Sequence, residues 1–355
     1  MHNFNAGPGI LPPSVLEEAA AAVRNFNHSG LSLLEIGHRT SAFIDVMEEA
    51  RSLVRTLLQL DQDHEVLFLQ GGATTQFMQI PMNLLDQDQI ASYTETGTWS
   101  VKAIKEARLF GQVEIAGSTR ELNYTAMPEL TNVSSSSVYL HLTSNETIAG
   151  TQWHQFPAHL SMPLIADMSS DIFSRQLDFN RFDLIYAGAQ KNMGAAGVTL
   201  VVVNKNLLGK IKRTIPSIMD YRNHIAEGSM LNTPPVFAVY VAMLVLRWIK
   251  QEGGVTEMEL RNRKKSALLY STLSSHTLYQ LPVKEKDRSL MNVVFTLKHS
   301  ELEPELQQVF KDNGLYGLEG HRSVGGFRAS LYNALPFSSV EVLCEILSDF
   351  AQRRS

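Results

Sequence analysis

The sequence predicts an α/β protein built on a mainly parallel seven-stranded sheet flanked by helices, followed by a smaller C-terminal α/β domain. Three observations lead there. Short apolar runs, EVLFLQ, IASYTE, VEIAG, SVYLHLT, PLIADM, LIYAGA and VTLVVVN, recur between residues 65 and 204 and alternate with helical segments. Several are apolar along most of their length rather than at every second position, as strands covered on both faces are. Finally, 355 residues at 44% hydrophobic content are enough to bury a large core and divide into one large and one small domain.

Taken in order, Pro12-Pro13-Ser14 followed by Glu17 reads as a capping box opening an amphipathic helix to about Arg24. A loop, NFNHSGLSLLEIGHRT, comes next. From Ser41 to Leu58 the residues Phe43, Val46, Met47, Ala50, Val54, Leu57 and Leu58 recur at helical spacing, which gives a second helix with one apolar face. The serine run 134–137 leads into a strand. VFAVYVAMLVL at 236–246 is interrupted by Arg247 well short of a membrane span and reads as a buried helix. The charged stretch from Leu281 to Arg288 is expected to be an exposed loop of the small domain. VEVLCEILSDF reads as an amphipathic helix that buries Cys344, with Ser338 and Glu341 at capping-box spacing. The large domain is placed at 16–259, and the small one at 1–15 with 260–355.

Charge and composition narrow the partners. With 31 Lys and Arg against 36 Asp and Glu the net charge is −5, and no long basic cluster offers a footprint for nucleic acid. One cysteine, Cys344, excludes an internal disulfide and a multi-cysteine metal site and suits a reducing compartment. The N-terminus MHNFNAGPGILPP has neither the basic start nor the apolar core of a secretory signal, so a cytoplasmic location without membrane contact is expected.

Ligands of such sheets bind beyond the carboxyl ends of the strands, so the residues that follow each run carry the chemistry. Asp167 ends LIAD, and Lys191 follows LIYAGAQ; the two are 191 − 167 = 24 residues apart, room for one crossover between neighbouring strands. A carboxylate and a lysine so placed suit pyridoxal 5'-phosphate (PLP). The amine forms a Schiff base with the cofactor aldehyde, and the acid keeps the pyridine nitrogen protonated so that the ring can accept electrons. An Asp at a strand end is also a common helix cap, and a Lys a common loop residue. What favours chemistry is the small, apolar setting AQKNMGAAGVTLVVV, without an adjacent carboxylate, where desolvation lowers the proton affinity of a lysine.

Other strand ends add to this. After EVLFLQ, Gly71-Gly72-Ala73-Thr74-Thr75-Gln76 is a small-residue turn entering a helix whose free N–H groups can hold a phosphate; without Gly-Lys-Ser/Thr it is not a Walker loop. After IASYTE, Trp99 offers an indole either as a platform for an aromatic ring or as simple core. After SVYLHLT, the segment Ser144 to Gly150 is rich in hydroxyl and amide groups, or is an ordinary capped turn.

These stretches stand beside the opening FNAGPGILP, GHRT at 37–40, GGATTQF at 71–77, TGTWS at 96–100, SNETIAG at 144–150, IADMSSD at 165–171, GAQKNMG at 188–194, NTPPVF at 232–237 and GLEGHRSVGGFRASLYN at 317–333. Together they closely resemble, nearly end to end, the phosphoserine aminotransferase family of class V, fold-type I PLP-dependent transferases. The resemblance implies that fold, with Lys191 as the Schiff-base lysine, Asp167 as the pyridinium partner and Trp99 stacked on the ring. It implies that Ala73 and Thr74 meet the cofactor phosphate with Gln190 nearby, and that Thr147 bonds the phenolic oxygen. Asn232 and Thr233 would reach the phosphate from the neighbouring subunit of a homodimer with active sites at its interface, although Asn-Thr-Pro-Pro is also a good helix start. Arg328 resembles the arginine that clamps the substrate α-carboxylate. His321-Arg322 and, across the dimer, His38-Arg39 resemble the distal-anion site. No metal is implied.

Phosphoserine and glutamate each carry an α-carboxylate and a distal anion, so one fixed guanidinium plus a second cationic cluster is what they require. The expected reaction is the reversible transfer of an amino group from L-glutamate to 3-phosphonooxypyruvate, giving O-phospho-L-serine and 2-oxoglutarate in serine biosynthesis. Lys191 would act first as the tether and then as the base at Cα, with ping-pong kinetics. Whether the oxo acid of pyridoxine biosynthesis is also aminated stays open. Ala73-Thr74 stands where some relatives have Gly-Arg, which removes a cationic contact, and Gly194-Ala195-Ala196-Gly197 stands where Gly-Pro-Ala-Gly is common, which loosens the loop. The alternatives are another class V aminotransferase acting on a small amino acid, which would not need both His-Arg pairs, a cysteine desulfurase, which needs a nucleophilic cysteine on a mobile loop, and a non-enzymatic α/β binding protein.

Overall fold

The computed structural model describes residues 1–354 apart from 132, 159 and 323. A two-residue strand β1 (His2–Asn3) precedes helices α1 (Pro13–Arg24) and α2 (Ser41–Leu58). The alternating part runs β2 (His64–Leu69), α3 (Gly72–Leu84), β3 (Ile90–Glu95), α4 (Thr98–Ala107), β4 (Gln112–Ser118), β5 (Ser137–Thr143), a hairpin of β6 (Asn145–Glu146) and β7 (Thr151–Gln152), then β8 (Leu164–Asp167), β9 (Leu184–Gly188) and β10 (Thr199–Asn204). Helices α5 (Tyr221–Ala226), α6 (Val236–Gln251) and α7 (Gly254–Ser274) lead to β11 (Tyr279–Gln280), β12 (Asn292–Leu297), α8 (Glu303–Asp312), β13 (Leu315–Tyr316), β14 (Phe327–Ser330) and α9 (Phe337–Arg353).

The seven apolar runs form one sheet in the order β2-β10-β9-β8-β5-β3-β4. Pairing is parallel except for β10, which runs antiparallel to both β2 and β9. Side chains alternate between faces along each strand, and the two faces are filled differently. Leu140, Leu142, Ala166, Ile185 and Val202 pack with α1, α2 and α6 on one side. Tyr139, Ile165, Leu184, Tyr186 and Val201 pack with α3, α4 and α5 on the other. Burial on both faces is why these strands read as continuous apolar runs.

A second core gathers Phe295, Phe327, Leu306, Leu343 and Leu347 around the antiparallel sheet β11-β12-β14 with α7, α8 and α9. Phe4 belongs to this core, because β1 pairs in parallel with β13. Helix α7 joins the two: Val255 and Met258 near its start lie in the first core, Leu269 and Leu273 near its end in the second. The expected domain boundary at 259/260 therefore falls inside a continuous helix.

Three local expectations are corrected. Helix α1 begins at Pro13 with Pro12 as its N-cap and no side-chain cap bond. Proline at the first helical position has no N–H to leave unsatisfied, and the Pro12 carbonyl takes the first intrahelical bonds from Val15 and Leu16, so Ser14 lies inside the first turn and forms no capping box. The same holds for α9, which starts at Phe337 behind Pro336 and leaves Ser338 in its first turn. The stretch 281–288 is not simply exposed. Val283 and Asp287 are buried, the Thr125 carbonyl accepts from the Lys284 N–H at 3.0 Å, and Asp287 Oδ2 accepts from the Met127 N–H at 3.1 Å. It clips the second unit onto the loop after β4.

The N-terminal strip crosses the segment that carries Lys191. The Gly9 N–H donates to the Gln190 carbonyl at 2.7 Å, and Tyr332 Oη donates to the Ala6 carbonyl at 2.6 Å. A Cβ on Gly9 would lie 2.7 Å from the Tyr332 ring and 2.9 Å from the Lys191 carbonyl oxygen. We expect Gly9→Ala to lower the unfolding free energy by about 1–3 kcal/mol in urea denaturation, since the backbone it meets cannot swing aside. A variant as stable as the parent would show that the strip yields at this crossing.

Candidate active site

Strands β8 and β9 are parallel neighbours, with Asp167 opposite Tyr186 in register, so their carboxyl ends open side by side. Asp167 is the last residue of β8, and Lys191 follows β9 by three residues. Both line a cavity of about 300 Å³ with Ala73, Thr74, Trp99, Thr147, Gln190, His321 and Arg328. Residues as far apart in the chain as Ala73 and Arg328 meet here: α3 and α4 follow β2 and β3, the β6–β7 turn brings Thr147, and β14 brings Arg328.

The electrostatics follow from burial. Lys191 Nζ donates to Thr147 Oγ1 at 3.0 Å. Burial pushes its pKa below the ordinary lysine value, while the charges of Asp167 and Glu146 oppose the shift and Arg328 adds to it. Asp167 shifts the other way: burial raises its pKa, against a hydrogen bond from the Ser169 N–H at 2.9 Å and the charge of Lys191. The lysine has no ion-pair partner within salt-bridge distance among the described residues, yet it is less isolated from carboxylates than its flanking sequence suggested. Arg328 is half-buried, and burial lowers its pKa from a starting value high enough to keep it cationic.

The residues present fit PLP. The turn at Gly71 and Gly72 is left-handed, with φ of 94° and 68°, as only glycine adopts readily, and it opens α3 with no side-chain cap and no acidic residue in the first turn. That helix start, beside Ala73 and Thr74, is an anion site with free N–H donors. The buried Asp167 carboxylate suits a protonated ring nitrogen, and Lys191 supplies the amine. Trp99 lines the wall, with Lys191 Nζ 5.6 Å from its ring centroid, and both Trp99 Nε1 and Arg328 Nε are buried without a partner among the described residues.

Not every expected residue meets at this cavity. Arg322 is exposed, on the segment whose His321 lines the wall. His38 and Arg39 precede α2, and Asn232 and Thr233 precede α6; none of the four lines the cavity within one chain. Asn232 and Thr233 do not cap α6 either. Its N-cap is Pro235, and the Thr233 carbonyl accepts from Gln70 Nε2 at 2.7 Å. Cys344 lies buried in α9 within the second core, where burial raises its pKa, which is no setting for a nucleophile on a mobile loop.

The sequence reading missed several wall residues. Ala6 and Gly7 line the cavity from the N-terminal strip, Asn145 from β6, and Ser169 and Ser170 from the turn after β8. For Asn145, Ser169 and Ser170 the signal was their place in SNE and DMSSD, polar residues that follow apolar runs; Ala6 and Gly7 carried no local signal. Glu146 was also passed over. It is fully buried against Gly97 at the head of α4, accepts from Thr96 Oγ1 at 3.1 Å, and burial pushes its pKa up to about 7.

The lysine shift has a direct readout. In the PLP-free protein, competitive acylation followed across pH should titrate Lys191 with an inflection below the ordinary lysine value. Asp167→Asn should move it lower still, because the carboxylate favours the charged amine. An inflection at the ordinary lysine value would contradict the desolvated amine.

Comparison with known proteins agrees with this geometry. A family model described as aminotransferase class-V matches residues 1–343. A phosphoserine aminotransferase of Flavobacterium johnsoniae is 52% identical, over 98% of this chain and 97% of that protein. The solved phosphoserine aminotransferase from Bacillus circulans subsp. alkalophilus superposes with a TM-score of 0.96 at 44% identity, covering 99% of this chain and 98% of that one. The PLP-bound phosphoserine aminotransferase from Trichomonas vaginalis does so at 0.93 and 35% identity, covering 98% and 99%. The chain therefore belongs to the class-V aminotransferases, which use PLP, and within them to the phosphoserine aminotransferase family.

Proposed function

We propose that this chain is a phosphoserine transaminase, exchanging the amino group of L-glutamate with 3-phosphonooxypyruvate. The observation that carries the reading is that a half-buried lysine amine, a buried carboxylate and a guanidinium line one cavity. Bound PLP supplies an aldehyde with which an amine can condense and a ring that accepts the electron pair left when the substrate's α-proton departs.

The chain's residues divide the remaining work. Lys191 Nζ is the amine placed to hold the cofactor and, once freed by an incoming amino acid, to take the α-proton and return it; its depressed pKa suits both tasks near neutral pH. Asp167 holds a proton on the ring nitrogen, and a cation beside it offsets the burial that otherwise favours its neutral form. Trp99 gives the ring a flat wall, while Thr147 Oγ1, already bonded to Lys191, is available to the phenolic oxygen. Ala73, Thr74 and Gln190, which line the cavity, would hold the phosphate. Arg328 takes the α-carboxylate, and His321 with Arg322 the distal anion.

We assign His38, Arg39, Asn232 and Thr233 to the cavity of a second copy. In support, Leu16, Leu34, Ile44 and Phe237 are exposed on elements that pack together, an apolar surface suited to a homodimer. A monomer by sedimentation at working concentration would remove that assignment. We read residues 16–259 as the cofactor unit and 1–15 with 260–355 as the substrate unit, supported by their separate cores. Among the described residues no helix is long and apolar enough to cross a membrane. The buried thiol of Cys344 is consistent with the cytoplasm.

Spectra and rates test the reading together. Phosphoserine should bleach the visible band of the PLP-loaded protein, Lys191→Ala should abolish turnover, and kcat/KM for phosphoserine should exceed that for alanine by at least about a hundredfold, because alanine leaves the distal cations unpaired. Comparable rates with alanine would remove the substrate assignment and leave the cofactor site standing.

A further inference from the structure

The segment that carries Arg328 is tied to the segment that carries Lys191 by a buried run of amide and hydroxyl side chains behind the cavity. It starts at Ser170, three residues past Asp167. Ser170 Oγ donates to the Asn145 carbonyl at 2.9 Å and accepts from Asn145 Nδ2 at 2.7 Å. The same Nδ2 donates to Asn292 Oδ1 in β12 at 2.8 Å, and Asn292 Nδ2 donates onward to Ser330 Oγ at 3.0 Å, two residues past Arg328. Ser289 Oγ donates to Asn145 Oδ1 at 2.5 Å. A second branch leaves the Ser170 carbonyl, which accepts from Asn192 Nδ2 at 3.1 Å, beside Lys191. Asn192 Oδ1 accepts from the Asn333 N–H at 3.0 Å, and Asn333 Oδ1 from Asn262 Nδ2 at 2.8 Å.

All of these side chains are buried, and Asn262, Ser289 and Asn292 are completely so. Apolar residues would fill such a space at less desolvation cost, whereas a polar network whose side chains are bonded, as they are here except at Asn262 Oδ1, restricts the arrangement of its members. Both branches run from the lysine and aspartate side to the arginine side. The guanidinium itself is weakly held: Arg328 Nη1 reaches the Thr147 carbonyl at 3.4 Å, and Nε is buried without a partner among the described residues. Its place is thus set by its backbone, which pairs with β12 from Asn292 opposite Ser330 to Phe295 opposite Phe327.

We infer that Asn145, Asn292 and Asn333 are positioning residues that act through the backbone of residues 328–333 to hold the Arg328 guanidinium in a fixed place relative to Lys191, and so set the affinity for the substrate α-carboxylate. This rests on Arg328 being the carboxylate clamp. The two units are then latched beside the site, and the arginine is preorganised rather than delivered by free closure of the second unit.

A double-mutant cycle on the PLP-loaded enzyme tests it, with Asn292 chosen because it does not line the cavity. Asn292→Ala should raise KM for glutamate about tenfold, more than it lowers kcat, with PLP affinity changed by less than about twofold. In an Arg328→Lys background the same substitution should add nothing, since its effect passes through the bidentate fork that lysine lacks. Ser330→Ala, which removes only the last hydroxyl, should give a smaller rise of the same kind and keeps the test open if Asn292→Ala does not fold. An unchanged KM, equal effects in both backgrounds, or parallel loss of PLP affinity would overturn the inference. If Arg328→Lys alone leaves KM for glutamate unchanged, it is the clamp assignment that fails, and the network's role with it.

Discussion

Everything at this site depends on desolvating an acid and a base at the ends of two adjacent strands. β8 and β9 pair in parallel between helix layers, so Asp167 and the segment leading to Lys191 emerge together from a dry sheet. Removal from water disfavours the charged form of each, raising the carboxyl and lowering the amine, while their mutual attraction limits both shifts. An amine that gives up its proton more easily is a better nucleophile and base, and a carboxylate that needs a cation is a strong partner for a ring nitrogen. The sheet thereby converts burial into chemistry.

The same site carries polar groups that a stability-driven core would not keep. Among the described residues, Trp99 Nε1 and Arg328 Nε at the cavity and Glu146 Oε2 beside Gly97 are buried without protein partners, and the first turn of α3 has no side-chain cap. Unsatisfied buried groups each cost free energy, which is tolerated where a ligand is to meet them. Behind the cavity the opposite rule holds: Asn145, Asn192, Asn292 and Asn333 are bonded to one another or to their neighbours. Unpartnered atoms of Trp99 and Arg328 face the cavity, and side chains bonded to one another, Asn262 Oδ1 excepted, hold its walls.

Much of this was legible in the chain, for identifiable reasons. Helix α2 spans Ser41–Leu58 as its apolar stripe predicts, and all seven apolar runs became strands of one sheet. Direction was not legible: VTLVVVN reads as a buried strand whichever way it runs, and β10 is antiparallel. The caps of α1 and α9 were misplaced because a Ser-x-x-Glu spacing carries no register when proline occupies the first turn or the cap. At the site, Asp167, Lys191, Trp99 and Thr147 could be found because each follows an apolar run. Ala6 and Gly7 could not, since nothing local says that the N-terminal strip crosses the lysine segment. The convergence of Arg328 from a different sheet depends on packing and was reached only through family resemblance.

The central claim is that the ε-amine of Lys191 is the group that holds the cofactor. Borohydride reduction of PLP-saturated protein followed by peptide mass mapping measures this most directly. The account predicts a stable phosphopyridoxyl adduct on the peptide containing Lys191, and its loss in Lys191→Ala. Finding Lys191 unmodified in saturated material, or the adduct on another lysine, would contradict it.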